Sequence, residues 1–160
     1  MDIIAQEFKT PGNIGALARV MKNFDFDSLV LWKPQCDHLC KEALDRATHA
    51  KEILQNAKVV DALEYDVLVG TTSIVGTDYN VLRNVLPSER LATMELKGRI
   101  GILLGREGDG LTIEELKICD IVVTIPTSKR SPTMNVSHAA AIVLYELFKH
   151  SPKEKAGDTI

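Results

Sequence analysis

A chain of 160 residues is long enough for one domain with a substantial core and short for two. With 45% hydrophobic and 26% charged residues, the composition fits a soluble globular protein, and no apolar run approaches the ~20 residues of a membrane span. A formal net charge of −3 argues against indiscriminate nucleic-acid binding but leaves room for a local basic patch. The segment MDIIAQEFKT lacks the basic start and apolar stretch of a signal peptide. Cys36, Cys40 and Cys119 form an odd set without paired spacing, the pattern of reduced cytosolic thiols. Cys36, His38 and Cys40 alternate as residues on a strand face do, which suits a zinc clip poorly, and no metal is expected.

In chain order, Asp2 to Phe8 reads as a strand, and Thr10-Pro11-Gly12 is turn chemistry. Asn13 is a good N-cap for a helix from Ile14 to about Phe24, whose apolar stripe is Ile14, Leu17, Ala18 and Met21. Arg19 falls nearly opposite that stripe, with the small residues Gly15 and Ala16 beside it; it is either an ordinary solvent-facing arginine or a cation that another surface approaches closely. Ser28 to Trp32 is a second strand ending near Pro34. Leu39 to Asn56 is helical, in one or two pieces. Asp66 to Val69 is a third strand candidate closing on Gly70-Thr71-Thr72-Ser73. Ile74 to Pro87 is long and irregular. Ser88 caps a short helix through Leu96.

Arg99 to Leu104 is an apolar strand followed by Gly105-Arg106-Glu107-Gly108-Asp109-Gly110, and Thr112 with Glu115 forms a capping box for the next helix. Strand, glycine turn and helix is the layout of a nucleotide site, but the glycines fall as GxxGxG rather than GxGxxG. Glu107 and Asp109 would repel a pyrophosphate, so the turn is either structural or suited to a ligand that is neutral or cationic there. Ile121 to Ile125 is a β-branched strand stopped by Pro126. The polar loop Thr127 to Thr133 leads to a helix starting at Met134 or Asn135 and apolar almost all round, which calls for packing on both sides. Asn135 either caps this helix or serves a site at the end of the strand. Residues 1–149 read as a single α/β domain with a mostly parallel sheet, and residues 150–160 as a polar, disordered tail.

Three segments, NIGALARVMKNFDF (13–26), ILLGREGDGL (102–111) and IPTSKRSPTMNVSHAAAIVLYE (125–146), resemble in order and spacing the three motifs of the SpoU–TrmH family of the SPOUT superfamily. These are RNA ribose 2′-O-methyltransferases, and the first motif with the GTTS turn looks most like the TrmJ type, which modifies an anticodon-loop ribose in tRNA. The resemblance implies helices on both faces of the sheet and a deep C-terminal trefoil knot. It implies that three segments surround S-adenosylmethionine: Thr71, Thr72 and Ser73; the Gly105–Gly110 turn; and the Ile125–Met134 loop with Pro132 and Thr133. It implies a cytoplasmic homodimer with its active site at the subunit interface, which fits the apolar last helix. Asn13, Arg19, Glu107 and Asn135 match the family's characteristic polar positions. Thr133-Met134-Asn135 stands where the family usually has Ser-Leu-Asn, and the tail is short where many tRNA-acting relatives carry an extension.

Displacement of a methyl group from a sulfonium by a ribose oxygen needs positioning and no metal. A guanidinium stays protonated, so Arg19 suits an orienting cation better than a base. Lys9, Lys22, Lys129 and Arg130 are the candidate phosphate contacts for RNA. Methylation of rRNA, or of another tRNA position, is the alternative reading. A silent dimeric RNA-binding module is a third, which would have no need of the intact polar set.

Overall fold

The computed structural model describes residues 1–73 and 85–157. Seven strands form one sheet: β1 (Asp2–Gln6), β2 (Leu29–Trp32), β3 (Lys58–Val60), β4 (Val67–Thr71), β5 (Val85–Pro87), β6 (Ile100–Leu104) and β7 (Ile121–Thr124). Their spatial order is β3-β2-β1-β6-β4-β7-β5, and every pairing among them is parallel. The helices are α1 (Pro11–Asn23), α2 (Lys41–Ala47), α3 (Lys51–Gln55), α4 (Ser88–Leu91), α5 (Ile113–Lys117) and α6 (Val136–Lys149). Between α2 and α3 a 3-10 turn at Thr48–Ala50 breaks the helix where Thr48 adopts φ 52°, which gives the predicted helix its two pieces.

Alternation along the central strands divides the core. Ile3, Ala5, Leu29, Leu31, Ile102 and Leu104 face α1, α2, α3, α4 and α6, while Ile4, Val30 and Leu103 face α5 through Leu111 and Leu116. Helices therefore cover both faces, as a parallel sheet requires. The predicted stripe of α1 is fully buried in the larger cluster.

Several local expectations are corrected. β3 and β5 are strands too short and too near the edges to show a pattern. Ile74–Pro87 lies mostly outside the described residues, and its last three residues form β5. Ser88 is the buried first residue of α4 and caps nothing; Pro87 holds the N-cap position, and the helix stops at Leu91. Asn13 is not an N-cap either. Thr10 holds that position with Pro11 at the first helical residue, so the helix starts two residues before Asn13, where proline's fixed φ is tolerated. At the other end of the chain, Lys153 Nζ lies 3.0 Å from Asp25 Oδ2.

Gly15 does not open space around Arg19. It is buried against α2, where a Cβ would stand 2.2 Å from the Ala43 carbonyl oxygen and 2.8 Å from Arg46 Cβ. Backbone contact of this kind cannot yield by a side-chain rotation. Gly15→Ala should therefore lower stability by about 1–3 kcal/mol in urea unfolding, whereas Arg19→Ala, at an exposed position, should stay within about 0.5 kcal/mol of wild type. Equal effects would contradict this packing.

Candidate functional site

Strands β6, β4 and β7 are neighbours and parallel, so the loops leaving their carboxyl ends converge above the sheet. A cleft of about 240 Å³ opens there. Thr71, Thr72 and Ser73 line it from the end of β4, Gly105 to Gly110 from the end of β6, and Ile125, Thr127, Pro132, Thr133 and Met134 from the β7–α6 loop. Asn13 and Asn135 stand at the amino ends of α1 and α6, and Leu104, Val123, Val136, Ala139 and Val143 supply an apolar wall.

One hydrogen-bonded chain ties these loops together. Glu107 Oε2 accepts from the Lys9 amide at 3.1 Å, and Oε1 accepts from the Thr10 amide at 3.1 Å and from Asn13 Nδ2 at 3.3 Å. Asn13 Oδ1 in turn accepts from Asn135 Nδ2 at 3.2 Å. Asn135 Oδ1 accepts from the Ser137 amide at 2.9 Å, as an N-cap does. The oxygen of the Asn135 amide thus caps α6, and its nitrogen is turned to Asn13 at the cleft. Asn13, displaced from the cap position, is free to bridge the glycine turn and the last helix.

The glycine turn is locked from its other side by Arg106. Its Nη1 and Nη2 donate to Glu115 Oε1 and Oε2 at 2.6 and 2.9 Å, Nη1 donates to the Gly110 carbonyl at 2.9 Å, and Nε donates to Glu7 Oε2 at 3.0 Å. A Cβ on Gly105 would lie 2.5 Å from the Gly110 carbonyl carbon, so only glycine lets the turn close, and Gly110 itself sits at φ 69°. Thr112 and Glu115 form the expected capping box, so Glu115 Oε1 also accepts from the Thr112 amide.

The structure brings twelve of the thirteen predicted catalytic and cofactor positions to one cleft, all but Arg19. Arg19 lies on the exposed side of α1, with no hydrogen-bond or ion-pair partner among the described residues. Lys9 is exposed next to Glu107, and Lys129 and Arg130 are exposed at the tip of the loop whose two ends line the cleft. Lys22 is instead committed elsewhere: its Nζ lies 2.6 Å from Glu52 Oε1 and donates to the His49 carbonyl at 2.6 Å. Arg106 and Thr127 fall within the expected cofactor segments, but the ion pairs of Arg106 were not anticipated. Arg106's partners lie up to 99 residues away in sequence, and no local pattern signals them. Among the described residues no group of three His, Cys, Asp or Glu side chains converges as metal ligands. Burial pushes the Cys36 thiol up to about 11, and its Sγ donates to the Phe8 carbonyl.

Burial opposes ionisation of Glu115, but the Arg106 guanidinium and the Thr112 donors outweigh it and hold the carboxyl below its usual range. A group depressed in the folded state stabilises above its unfolded pKa and loses that contribution as pH falls through its folded one. Wild type should therefore exceed Glu115→Gln in stability at neutral pH, with the gap closing as pH falls below about 4.5. Denaturant unfolding from pH 7 to pH 3 measures it; a gap that widens on acidification would contradict the ion pair.

Residues 1–145 match the model of the SpoU rRNA Methylase family. The tRNA (cytidine-2′-O-)-methyltransferase TrmJ of Methanocaldococcus jannaschii is 40% identical over 97% of this chain and 70% of its own length. The tRNA (cytidine/uridine/adenosine-2′-O-)-methyltransferase TrmJ of Pseudomonas aeruginosa is 37% identical over 86% of this chain; the match spans only 56% of that relative. Among solved structures, TrmJ from Z. mobilis ZM4 superposes with a TM-score of 0.85 at 27% identity, over 99% of this chain and 73% of that one. With the family model matched over residues 1–145 of the chain and the motif residues gathered at one cleft, the chain belongs to the SpoU methylase family.

Proposed function

We propose that this protein transfers a methyl group from S-adenosylmethionine to a ribose 2′-hydroxyl of RNA, with tRNA as the substrate and the anticodon loop as the target region. The observation that carries the reading is the cleft at the carboxyl ends of β4, β6 and β7. Family membership and the names of the TrmJ relatives agree with it. The donor set suits the cofactor. Glu107 and Asp109 are acidic, Thr71, Thr72, Ser73, Thr127 and Thr133 carry hydroxyls, and the wall is apolar. Arg106, the one basic residue lining the cleft among the described residues, is spent on Glu7 and Glu115. Such a site favours a nucleoside and a positive sulfur over a pyrophosphate, which would need free cations or an open helix N-terminus. When bound there, S-adenosylmethionine supplies a methyl group on a positively charged sulfur. A metal has no part in this reading.

The chain's own residues hold and orient. The Glu107–Asn13–Asn135 network keeps the glycine turn and the amino ends of α1 and α6 in one register. Arg19, as an always-protonated fork, stabilises the charge that develops on the ribose oxygen. It stands outside the cleft of its own chain, so the site needs a second copy. The last helix leaves Ile142 and Tyr145 at 37% and 49% exposure. A homodimer through α1 and α6 would cover these side chains and bring Arg19 to the subunit interface. Lys9, Lys129 and Arg130 make the phosphate contacts, without Lys22. A C-terminal trefoil knot belongs with this reading: β6 enters between β1 and β4, and β7 between β4 and β5, so each late strand is flanked by earlier ones. Three free thiols accord with a cytoplasmic setting.

Calorimetry should show binding of S-adenosylmethionine or S-adenosylhomocysteine; binding of NAD or ATP with neither of these would overturn the reading. Sedimentation at micromolar concentration should give a dimer, and a monomer active in methyl transfer would contradict the shared site. Arg19→Ala should keep its melting temperature and cofactor affinity while single-turnover transfer falls ~10²–10³-fold. Arg19→Lys should rescue little, because an ammonium lacks the planar fork. Transfer by Arg19→Ala at close to the normal rate would remove Arg19 from the site.

A further inference from the structure

Arg106 and Glu107 are consecutive, yet both grip the segment that leaves β1. Arg106 Nε holds the Glu7 carboxylate at 3.0 Å, and Glu107 holds the Lys9 and Thr10 amides and Asn13 Nδ2. Residues 7 to 13 are thus fastened to the glycine turn at both ends. Glu7 takes φ 48°, a left-handed backbone that a glutamate adopts only when its surroundings hold it there. Its amide donates to the Trp32 carbonyl at 2.9 Å, which anchors it to the end of β2. Arg106 then runs on to the Gly110 carbonyl and to both oxygens of Glu115 at the start of α5. With side-chain exposures of 20% for Arg106, 32% for Glu7 and 12% for Glu115, the three charges are shielded enough to be worth more than a surface pair.

From this the geometry points to Glu7 as a positioning residue for the cofactor turn: it does not itself line the cleft, and acts by holding Arg106 so that Arg106 fixes the Gly110 carbonyl and closes the turn. The inference rests on the proposed function, since it names how that site's cofactor turn is kept in shape. The reason is geometric. A guanidinium offers donors in one rigid plane. With Glu7 at one end and Glu115 at the other, rotation of the fork is blocked and Nη1 is aimed at Gly110. Without Glu7, the fork pivots about Glu115, and the turn loses one of its two fastenings to the β1–α1 segment.

The test is calorimetric titration of S-adenosylhomocysteine into wild type, Glu7→Gln, Arg106→Gln, the double variant, and Asp45→Asn, which breaks the exposed Lys41–Asp45 pair on α2, outside the cleft lining. Apo melting temperatures are measured on the same samples. Glu7→Gln should weaken binding about fivefold or more at a temperature where its melting curve shows it fully folded, while Asp45→Asn should bind as wild type does. The double variant should bind no worse than Arg106→Gln alone, because both substitutions break the same link. Wild-type affinity in Glu7→Gln, or losses that multiply in the double variant, overturns the proposal and leaves the functional reading intact. Failure of wild type to bind S-adenosylhomocysteine overturns both. Should Arg106→Gln not fold, Glu7→Gln against Asp45→Asn decides the question.

Discussion

Everything at the cleft depends on where the carboxylate of Glu107 sits. α1 begins with orphan amides, as every helix does, and it carries no acidic residue in its first turn. A carboxylate from a turn nearly 100 residues later supplies the missing acidic group: it accepts from the Lys9 and Thr10 amides immediately before the helix and brings negative charge to the positive end of the helix dipole. Hydrogen bonds to a charged acceptor contribute about 1.5–3 kcal/mol each, enough to set the position of a loop. The same carboxylate takes Asn13, and Asn13 takes Asn135, so the amino ends of two helices and one glycine turn are placed by a single group. The amides of both asparagines are used on both sides, which leaves neither free to rotate.

This arrangement also decides what the cleft accepts. A strand–glycine turn–helix unit ordinarily offers free amides and a helix end to phosphate. Here Glu107 occupies the Lys9 and Thr10 amides just before α1, Arg106 is neutralised by two carboxylates, and α5 begins with its own capping box closed by Glu115. The same bonds that shape the turn thereby take up groups that would otherwise hold a phosphate. The remaining surface, hydroxyls on one side and aliphatic side chains on the other, matches a nucleoside carrying a positive centre. The cations proposed to meet RNA stand outside, on Lys9, Lys129, Arg130 and the outer side of α1.

Much of this was legible in the sequence, for physical reasons that differ by residue. Strands buried on both faces read as apolar runs, so β1, β2, β6 and β7 were plain, as was the capping box at Thr112. The Ile14–Met21 stripe located α1 although its start was misplaced, because Asn13 has the chemistry of a cap and Pro11 that of a first helical residue, and only the packed structure chooses. Edge strands of three residues carry no periodicity, so β3 and β5 were invisible. Gly15 was assigned to the wrong neighbour since a small residue announces close approach without saying to what. The polar set came from motif resemblance; the Glu7–Arg106–Glu115 chain came from neither motif nor period, because ion pairs between distant segments leave no local trace. Lys22 shows the converse, a cation of suitable position in sequence that the fold spends on Glu52.

The central claim is chemical: a methyl group goes to a ribose oxygen and to nothing else on the RNA. The most direct measurement is incubation of the purified protein with unmodified tRNA transcripts and S-adenosylmethionine labelled in its methyl group, followed by nuclease digestion and mass spectrometry of the nucleosides. The expected result is a labelled 2′-O-methylated nucleoside at one anticodon-loop position, lost in Arg19→Ala. Label on a base, or no label on tRNA or rRNA from a protein that binds the cofactor, would contradict it.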